Sequence, residues 1–475
     1  MTWIVGLSKG CGKVDINDVV SVVAPGAKPV VEGGKVNKSY LNRIMKIAIP
    51  IILSSVISQF QMIIDRIFLG QLNTLYMSAL GNVTSPMWTT MSFAFTITAG
   101  ASILISQNVG AGNKEKANEY AASLLKWNNI PSILLFFFWI LCGEYVFKLM
   151  GVSEGVMPYC LGYMKYFVPS FLLIGIEGST SVIMQTSNYT KPMIFYGLIR
   201  SGTNIILDYA LIFGHFGLPA LGIEGAAIAT TIAEFSGVIF AMGAMRSPKL
   251  TTRPPVKEAI KASVKPYLNS LKLGVNCALE DLAWNAGNLV IIRILNSINE
   301  IAAGIYSIVF SVEVLVVVVI GAFGNSTMTL TGEAKGKKDK DQYKQVVKLA
   351  YILSAAIAFL TLIVCAIFPK QILGLFSSDE QIIASCGIYL IMVCINLFGK
   401  SGNIIVGSGI KGEGDTKWML CTQIFGTVLV ISCACLFVYG LKLGIIGVFM
   451  AVIVDEGVRA IINLGRFMHI LKKME

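Results

Sequence analysis

After a polar opening, the chain is a succession of long apolar runs separated by short polar loops. About twenty apolar residues in helical form cross the hydrocarbon of a bilayer. By that measure about twelve runs qualify, at roughly 44–70, 80–108, 119–149, 160–187, 192–213, 222–245, 270–295, 302–330, 345–374, 384–409, 418–439 and 445–468. Several exceed the minimum length, which predicts tilt or extension past the hydrocarbon. A backbone in lipid must satisfy its own hydrogen bonds, so each run is predicted as an α-helix. The expected fold is an all-α integral membrane protein.

The loops alternate in charge along the chain. One set reads "GNKEKANEY", "NYTKPM", "MRSPKLTTRPPVKEAIKASVKPY", "GEAKGKKDKDQYK", "KGEGDTKW" and the tail "LKKME". The other reads "GQLNTLYMSALG", "GVSEGV", "GHFGLPALGIEG", "NSINEIAAG", "SSDEQ" and "GLKLG". Most Lys and Arg fall in the first set. Basic residues in short loops mark the cytoplasmic side. A multi-pass protein of the cell membrane with both termini in the cytoplasm is therefore expected. Loops that were merely solvated would show no alternation.

The longest basic loop, around 246–269, holds Pro248, Pro254, Pro255 and Pro266 and divides the runs six and six. The halves repeat. "TSNYTKPM" at 186–193 returns as "EGDTKWM" at 413–419, and "FGLPALGIEGAA" at 216–227 as "YGLKLGIIGVFM" at 439–450, about 222 to 226 residues apart. Six helices per half keep both repeats in one orientation. Parallel repeats imply two bundles related by a pseudo-two-fold axis along the membrane normal, with substrate between them and access alternating as they rock. The expected division is a polar cytoplasmic extension at 1–40, a first six-helix bundle at 41–246, a cytoplasmic linker at 247–269 and a second bundle at 270–475. The extension lacks a long apolar core and an early basic cluster, so it is not read as a signal peptide.

Composition narrows this further. The chain is 55% hydrophobic and 14% charged, with mean hydropathy +0.71, too apolar for a soluble protein of this size. Forty-six glycines suit helices that approach closely in lipid. The net charge of +11 sits in short loops, so topology explains it and nucleic acid is not expected as a partner. Of ten cysteines, Cys142, Cys277, Cys365, Cys394, Cys433 and Cys435 fall in apolar runs, and no CxxC occurs, so buried free thiols are expected.

"MIIDRIFLGQLNTLYMSALG", "QNVGAGNKEKANEYAASLL" and "TNIILDYALIFGHFGLPALGIEGAAIATTIAE" resemble the multidrug and toxic compound extrusion family over roughly 42–470. The resemblance implies twelve helices in two equal bundles. It also implies efflux of organic cations and other amphipathic compounds in exchange for H⁺ or Na⁺. An essential carboxylate in the first helix falls on Asp65, the Asn and Asp of the fifth-helix motif on Asn204 and Asp208, and a sixth-helix Thr of the cation site on Thr230.

Depth gives an independent test of those positions. At 1.5 Å per residue, Asp65, Asp208 and Thr230 lie ~8, ~9 and ~12 Å from the outer ends of their helices, with Asn204 one turn from Asp208 on the same face. All offer oxygen, which suits Na⁺, with Asp65, Asn204 and Asp208 as its ligands. Two nearby carboxylates in low dielectric would equally hold a proton near neutral pH. The competing reading pairs Asp65 with Arg200 or Arg66, although neighbours on a helix point about 100° apart.

A second set, Glu177, Glu280, Lys400 and Asp455, lies ~14 to 19 Å from the inner face. Asp281, Glu456 and Arg459 are neighbours. Carboxylates outnumber cations here, which suits a cationic or zwitterionic substrate. Trp284, one turn past Glu280, is a candidate for cation–π contact. Lys400 is expected opposite Glu280, either as a counter-ion that substrate displaces or as a structural salt bridge to Glu280 or Asp455.

The expected function is a secondary active antiporter that exports organic cations or amphipathic compounds, a small and cationic substrate above all, by alternating access. It is expected to work as a monomer in the bilayer, without a cofactor, with H⁺ or Na⁺ as coupling ion. A flippase for a lipid-linked precursor is the alternative. It would need a strongly basic cavity, against the mostly acidic level found here. An enzyme is not expected: no HExxH, paired-Asp metal motif, Ser/His/Asp set or nucleotide loop occurs.

Overall fold

A computed structural model of the chain describes residues 38–299, 301–374 and 380–474. Nearly all of the expected polar extension, residues 1–37, and most of the expected outer loop "SSDEQ" lie outside them.

Twelve long helices carry the described chain. In the first half they are α1 (Lys38–Leu72), α2 (Thr74–Gly110, interrupted at Thr98), α3 (Lys114–Leu149, interrupted at Asn128), α4 (Met157–Thr186, with a 3₁₀ turn at Val168–Ser170), α5 (Lys191–Phe213) and α6 (Ile223–Ala244). The second half holds α7 (Val264–Asn296), α8 (Ala302–Lys337), α9 (Lys340–Ile367), α10 (Glu380–Glu413), α11 (Thr416–Gly440, ending in a π turn) and α12 (Gly444–Lys473). A short helix, Val256–Lys261, interrupts the connection between halves. Among the described residues, nine helices are long and apolar enough to cross a membrane. The other three, α5, α7 and α12, are the ones diluted by charged residues such as Arg200, Asp208, Glu280, Asp281, Asp455, Glu456 and Arg459.

The helices run past the apolar stretches because polar residues cap them. Asn113 Oδ1 accepts from Lys116 N at 3.1 Å, and Asp339 Oδ1 from Gln342 N at 2.8 Å, which satisfies free N–H groups of the first turn. α7 likewise starts at Val264, earlier than the expected 270, where Ser263 caps it, and α8 runs to Lys337 instead of near 330, ending where Lys338 turns left-handed.

The halves meet mainly at one end. Ile44, Ile47 and Ala48 at the start of α1 pack into the second half's core, against Ile320, Phe323 and Leu330. Tyr267 at the start of α7 joins the first half's core, against Ala101, Ile105 and Leu124. α2 and α8 cross so closely that a Cβ on Gly110 would stand 2.0 Å from the Glu333 carbonyl oxygen, and one on Gly336 1.9 Å from that of Gln107. Only glycine permits that approach. Gln107 Nε2 donates to the Gly412 carbonyl at 2.9 Å, and Arg43 pairs with Glu333. At the other end the cores are separate. One gathers Leu69, Met87, Trp139 and Phe171, the other Leu295, Tyr306, Leu390 and Phe449.

Candidate functional site

α5 and α6 turn their polar residues toward α1. Asn204 and Asp208 share a face of α5 and have no exposed surface. With the Asn204 amide oriented by its hydrogen-bond network, Nδ2 donates to Asp65 Oδ1 at 2.9 Å and Asp208 Oδ2 at 3.2 Å, and Oδ1 accepts from Thr230 Oγ1 at 3.2 Å. The four residues expected to form one level are brought together. Asp65 and Asp208 thus face each other across one amide nitrogen, where a shared proton or cation would neutralise the pair. Asp208 Oδ1 is buried without a hydrogen-bond partner.

Two further residues complete the cluster. Gln61, one turn before Asp65, hydrogen-bonds to it and accepts from Ser201 Oγ at 2.9 Å. Tyr163 of α4 is buried against Thr230. The four-residue spacing from Asp65 marks Gln61 in the sequence; nothing in the linear pattern marks Tyr163. Among the described residues no ion pair reaches either Asp. Arg66 is exposed. Arg200 is held elsewhere, by Glu234 Oε1 at 2.6 Å and Ser58 Oγ at 2.7 Å.

That Arg200–Glu234 pair is where Glu177 lies. Its neighbours are Glu234, Arg200 and Tyr196, all of the first half. It does not join Glu280, Lys400 and Asp455 in one level. Shared depth fixes height along the bundle and leaves direction around the helix open.

In the second half, Lys400 Nζ lies 2.6 Å from Glu313 Oε1 and 3.7 Å from Glu456 Oε1. The expected Glu280–Lys400 pair does not form. Asp455 takes a bidentate contact from Arg459 at 2.9 and 2.8 Å, and Arg459 also reaches Glu456 at 3.2 Å and Gln423 Oε1 at 2.7 Å. Asn396 donates to Glu313 and Asn403 to Glu456. Glu313 is absent from the sequence expectations, yet it stands alone in "SVEVLVVVVI" as Asp65 does in its own run, and that signal finds it. Trp284, Lys400 and Asp455 line a pocket of about 50 Å³ here. Trp284 stacks on Phe310 with ring centroids 6.1 Å apart, and no Lys or Arg lies over its ring among the described residues.

Glu280 faces the seam between the halves, with Lys411 Nζ 2.9 Å from its Oε2. Beside them is a cavity of about 350 Å³ walled by both halves, including Thr96, Ser181 and Gln185 from one and Asp281, Asn325 and Lys411 from the other. It sits on the open side of the α2–α8 crossing. A cavity of this size accommodates a small organic molecule. Among the described residues no cluster of three or more His, Cys, Asp or Glu gathers to hold a metal. The Asp65 cluster offers two carboxylates, an amide and hydroxyls, a set suited to a proton or a hard monovalent cation.

Two helical bundles that share cores at one end, enclose a polar cavity and hold a carboxylate pair with no Lys or Arg ion-paired to it among the described residues have the form of a membrane transporter. The chain belongs to the MatE family, whose model matches residues 50–210 and 277–436. A probable multidrug resistance protein NorM of Thermotoga maritima is 26% identical over 445 residues, covering 90% of this chain and 91% of that one. An uncharacterized transporter, YisQ, of Bacillus subtilis is 26% identical over 423 residues, covering 88% and 92%. A solved multidrug resistance MATE transporter in an outward-facing conformation superimposes with a TM-score of 0.84 at 18% identity, over 92% of this chain and 96% of that one, and shares the fold. The protein is a multi-pass membrane transporter of the multidrug-efflux type.

Proposed function

We propose that the chain is a secondary antiporter that exports small molecules by alternating access, driven by a cation exchanged at Asp65, Asp208, Asn204 and Thr230. The observation that carries this is that Asp65 and Asp208 gather on the Asn204 amide while no Lys or Arg forms an ion pair with either among the described residues, the nearby Arg200 being held by Glu234. An intramembrane charge without a tethered partner is costly and is a functional candidate by default. The oxygen set takes H⁺ or Na⁺, either of which neutralises the pair. The substrate occupies the cavity between the halves. The basic loops, including those at 111–113 and 338–339, face the cytoplasm with both termini. In that orientation the halves are sealed inward and open outward, the state from which substrate leaves and the ion enters.

The test is export from proteoliposomes with Na⁺ and pH gradients imposed separately. One gradient is expected to drive transport in the wild type and neither in Asp65→Asn. Unchanged gradient dependence in Asp65→Asn would remove the reading. Orientation is checked on intact cells: an impermeant maleimide is expected to label a cysteine placed at Asn73 and to miss one at Lys338.

A further inference from the structure

The interhalf cavity has a chemistry that the ion site does not explain. A pocket for lipophilic cations is built from aromatic faces and carboxylates. Here the aromatic residues Trp284, Tyr306 and Phe310 gather around the second half's pocket of about 50 Å³, room for little more than a water or two. The larger cavity is walled mainly by hydroxyl and amide groups and carries charges of both signs, Lys411 and Asp281.

Each charge keeps capacity that the protein leaves unfilled. Lys411 Nζ pairs with Glu280 Oε2 at 2.9 Å. No other carboxylate pairs with Lys411 among the described residues. An ammonium has three donors; Glu280 engages one, and the others are available to an anion in the cavity that Lys411 lines. Asp281 Oδ2 accepts from Thr96 Oγ1 at 2.6 Å, and Oδ1 has no hydrogen-bond partner among the described residues.

We infer that the transported molecule is a compact zwitterion, its carboxylate or phosphate docking on Lys411 and its ammonium on Asp281. This rests on the reading of the cavity as the substrate's place and names the substrate's class. Both residues belong to the second half while Thr96, Ser181 and Gln185 belong to the first. A zwitterion therefore anchors on one half and is released when the other moves away.

The test uses the purified full chain in lipid nanodiscs and isothermal calorimetry with three probes. They are the dipeptide leucylphenylalanine, its carboxamide, which is a cation only, and its N-acetyl form, which is an anion only. The free dipeptide is expected to bind at least about tenfold tighter than either, the size of one charge-assisted hydrogen bond. Lys411→Gln is expected to erase the preference over the carboxamide while leaving carboxamide binding within about twofold, well under one hydrogen bond. Lys411→Arg retains the preference, and Asp281→Asn erases the preference over the N-acetyl form. If Lys411→Gln does not fold, Lys411→Gln with Glu280→Gln keeps the local charge balanced and gives the same readout. Equal binding of the three probes, no binding of the dipeptide, or a Lys411→Gln that weakens dipeptide and carboxamide alike overturns the inference. Calorimetry needs no ion gradient, so its outcome is separate from failure of gradient-driven export.

Discussion

Each half buries a group of carboxylates among its helices, and the two groups are neutralised differently. In the first half Asp65 and Asp208 meet each other, an amide and hydroxyls. In the second half, Glu313, Glu456 and Asp455 meet Lys400 and Arg459, with Asn396, Asn403 and Gln423 filling the remaining positions. A tethered ammonium or guanidinium cannot leave its carboxylate by more than the reach of its side chain. A free cation can. Burial of a carboxylate therefore does not by itself mark an exchangeable site; the absence of a tethered counter-charge does. The sequence likeness of the two halves conceals this difference in counter-charge.

The largest effect expected from this comparison is on transport. Asp65→Asn should reduce gradient-driven export to background while leaving expression and monodispersity intact, because the amide can still hydrogen-bond Asn204 and Gln61. Retained export in proteoliposomes would erase the distinction between the halves.

The parts of this contrast that were legible in the sequence are those that follow from spacing. Asn204 and Asp208 are four apart on one helix, and Asp65 and Thr230 fall at the same height on neighbours, so the helical rise brings them to one level, while the rotation that turns the three helices toward each other is not in the count. The twelve helices were legible because a backbone in lipid leaves few alternatives. Their ends were not, because caps such as Asn113 and Asp339 carry helices into polar sequence. The pairing in the second half was not legible either. Glu280, well inside α7, is met by Lys411 in the last turn of α10, while Lys400 turns to Glu313 on α8. Tilt and rotation of packed helices decide such pairs, and a residue count from the loop contains neither.

On stability the two sites should exchange rank. Lys400→Met strands Glu313, since Glu456 keeps Arg459 and Asn403, and removing one partner of a buried pair costs about 3–5 kcal/mol. The thermal midpoint in detergent should fall clearly below that of Asp65→Asn. Adding Glu313→Gln to Lys400→Met should restore much of the loss. A Lys400→Met variant as stable as the wild type would mean that the second site is solvated and open to exchange.

Chemical labelling sharpens the contrast without mutation. Dicyclohexylcarbodiimide reacts with protonated carboxyl groups in apolar surroundings. Peptides containing Asp65 or Asp208 should carry the adduct, and those containing Glu313 or Glu456 should not, since Lys400 and Arg459 occupy the latter two carboxylates. The sign with pH is fixed: the protonated form reacts, so labelling should rise as pH falls. Na⁺ should suppress it if Na⁺ competes with the proton for this pair. Equal adducts in both halves, read by mass spectrometry, would show that the second site also holds a proton.

The smallest effect separates a ligand from a neighbour. Thr230 Oγ1 lies 3.2 Å from Asn204 and 2.9 Å from the Ala226 carbonyl oxygen. Thr230→Val keeps the shape and removes the hydroxyl. One hydrogen bond is worth about 0.5–1.5 kcal/mol net, so the coupling-ion concentration for half-maximal export should rise about 2- to 12-fold, with the maximal rate retained. Gln423→Leu makes a comparable change in the second half, removing the oxygen that receives Arg459 Nη1 at 2.7 Å. It should cost stability and leave the ion dependence where it was, because Arg459 stays bound to Asp455. If both variants shift the ion dependence alike, ion occupancy is felt through both halves and the exchangeable site is not confined to the first. If only Thr230→Val shifts it, the hydroxyl belongs to the ion's own coordination, which its distance to Asn204 alone does not require.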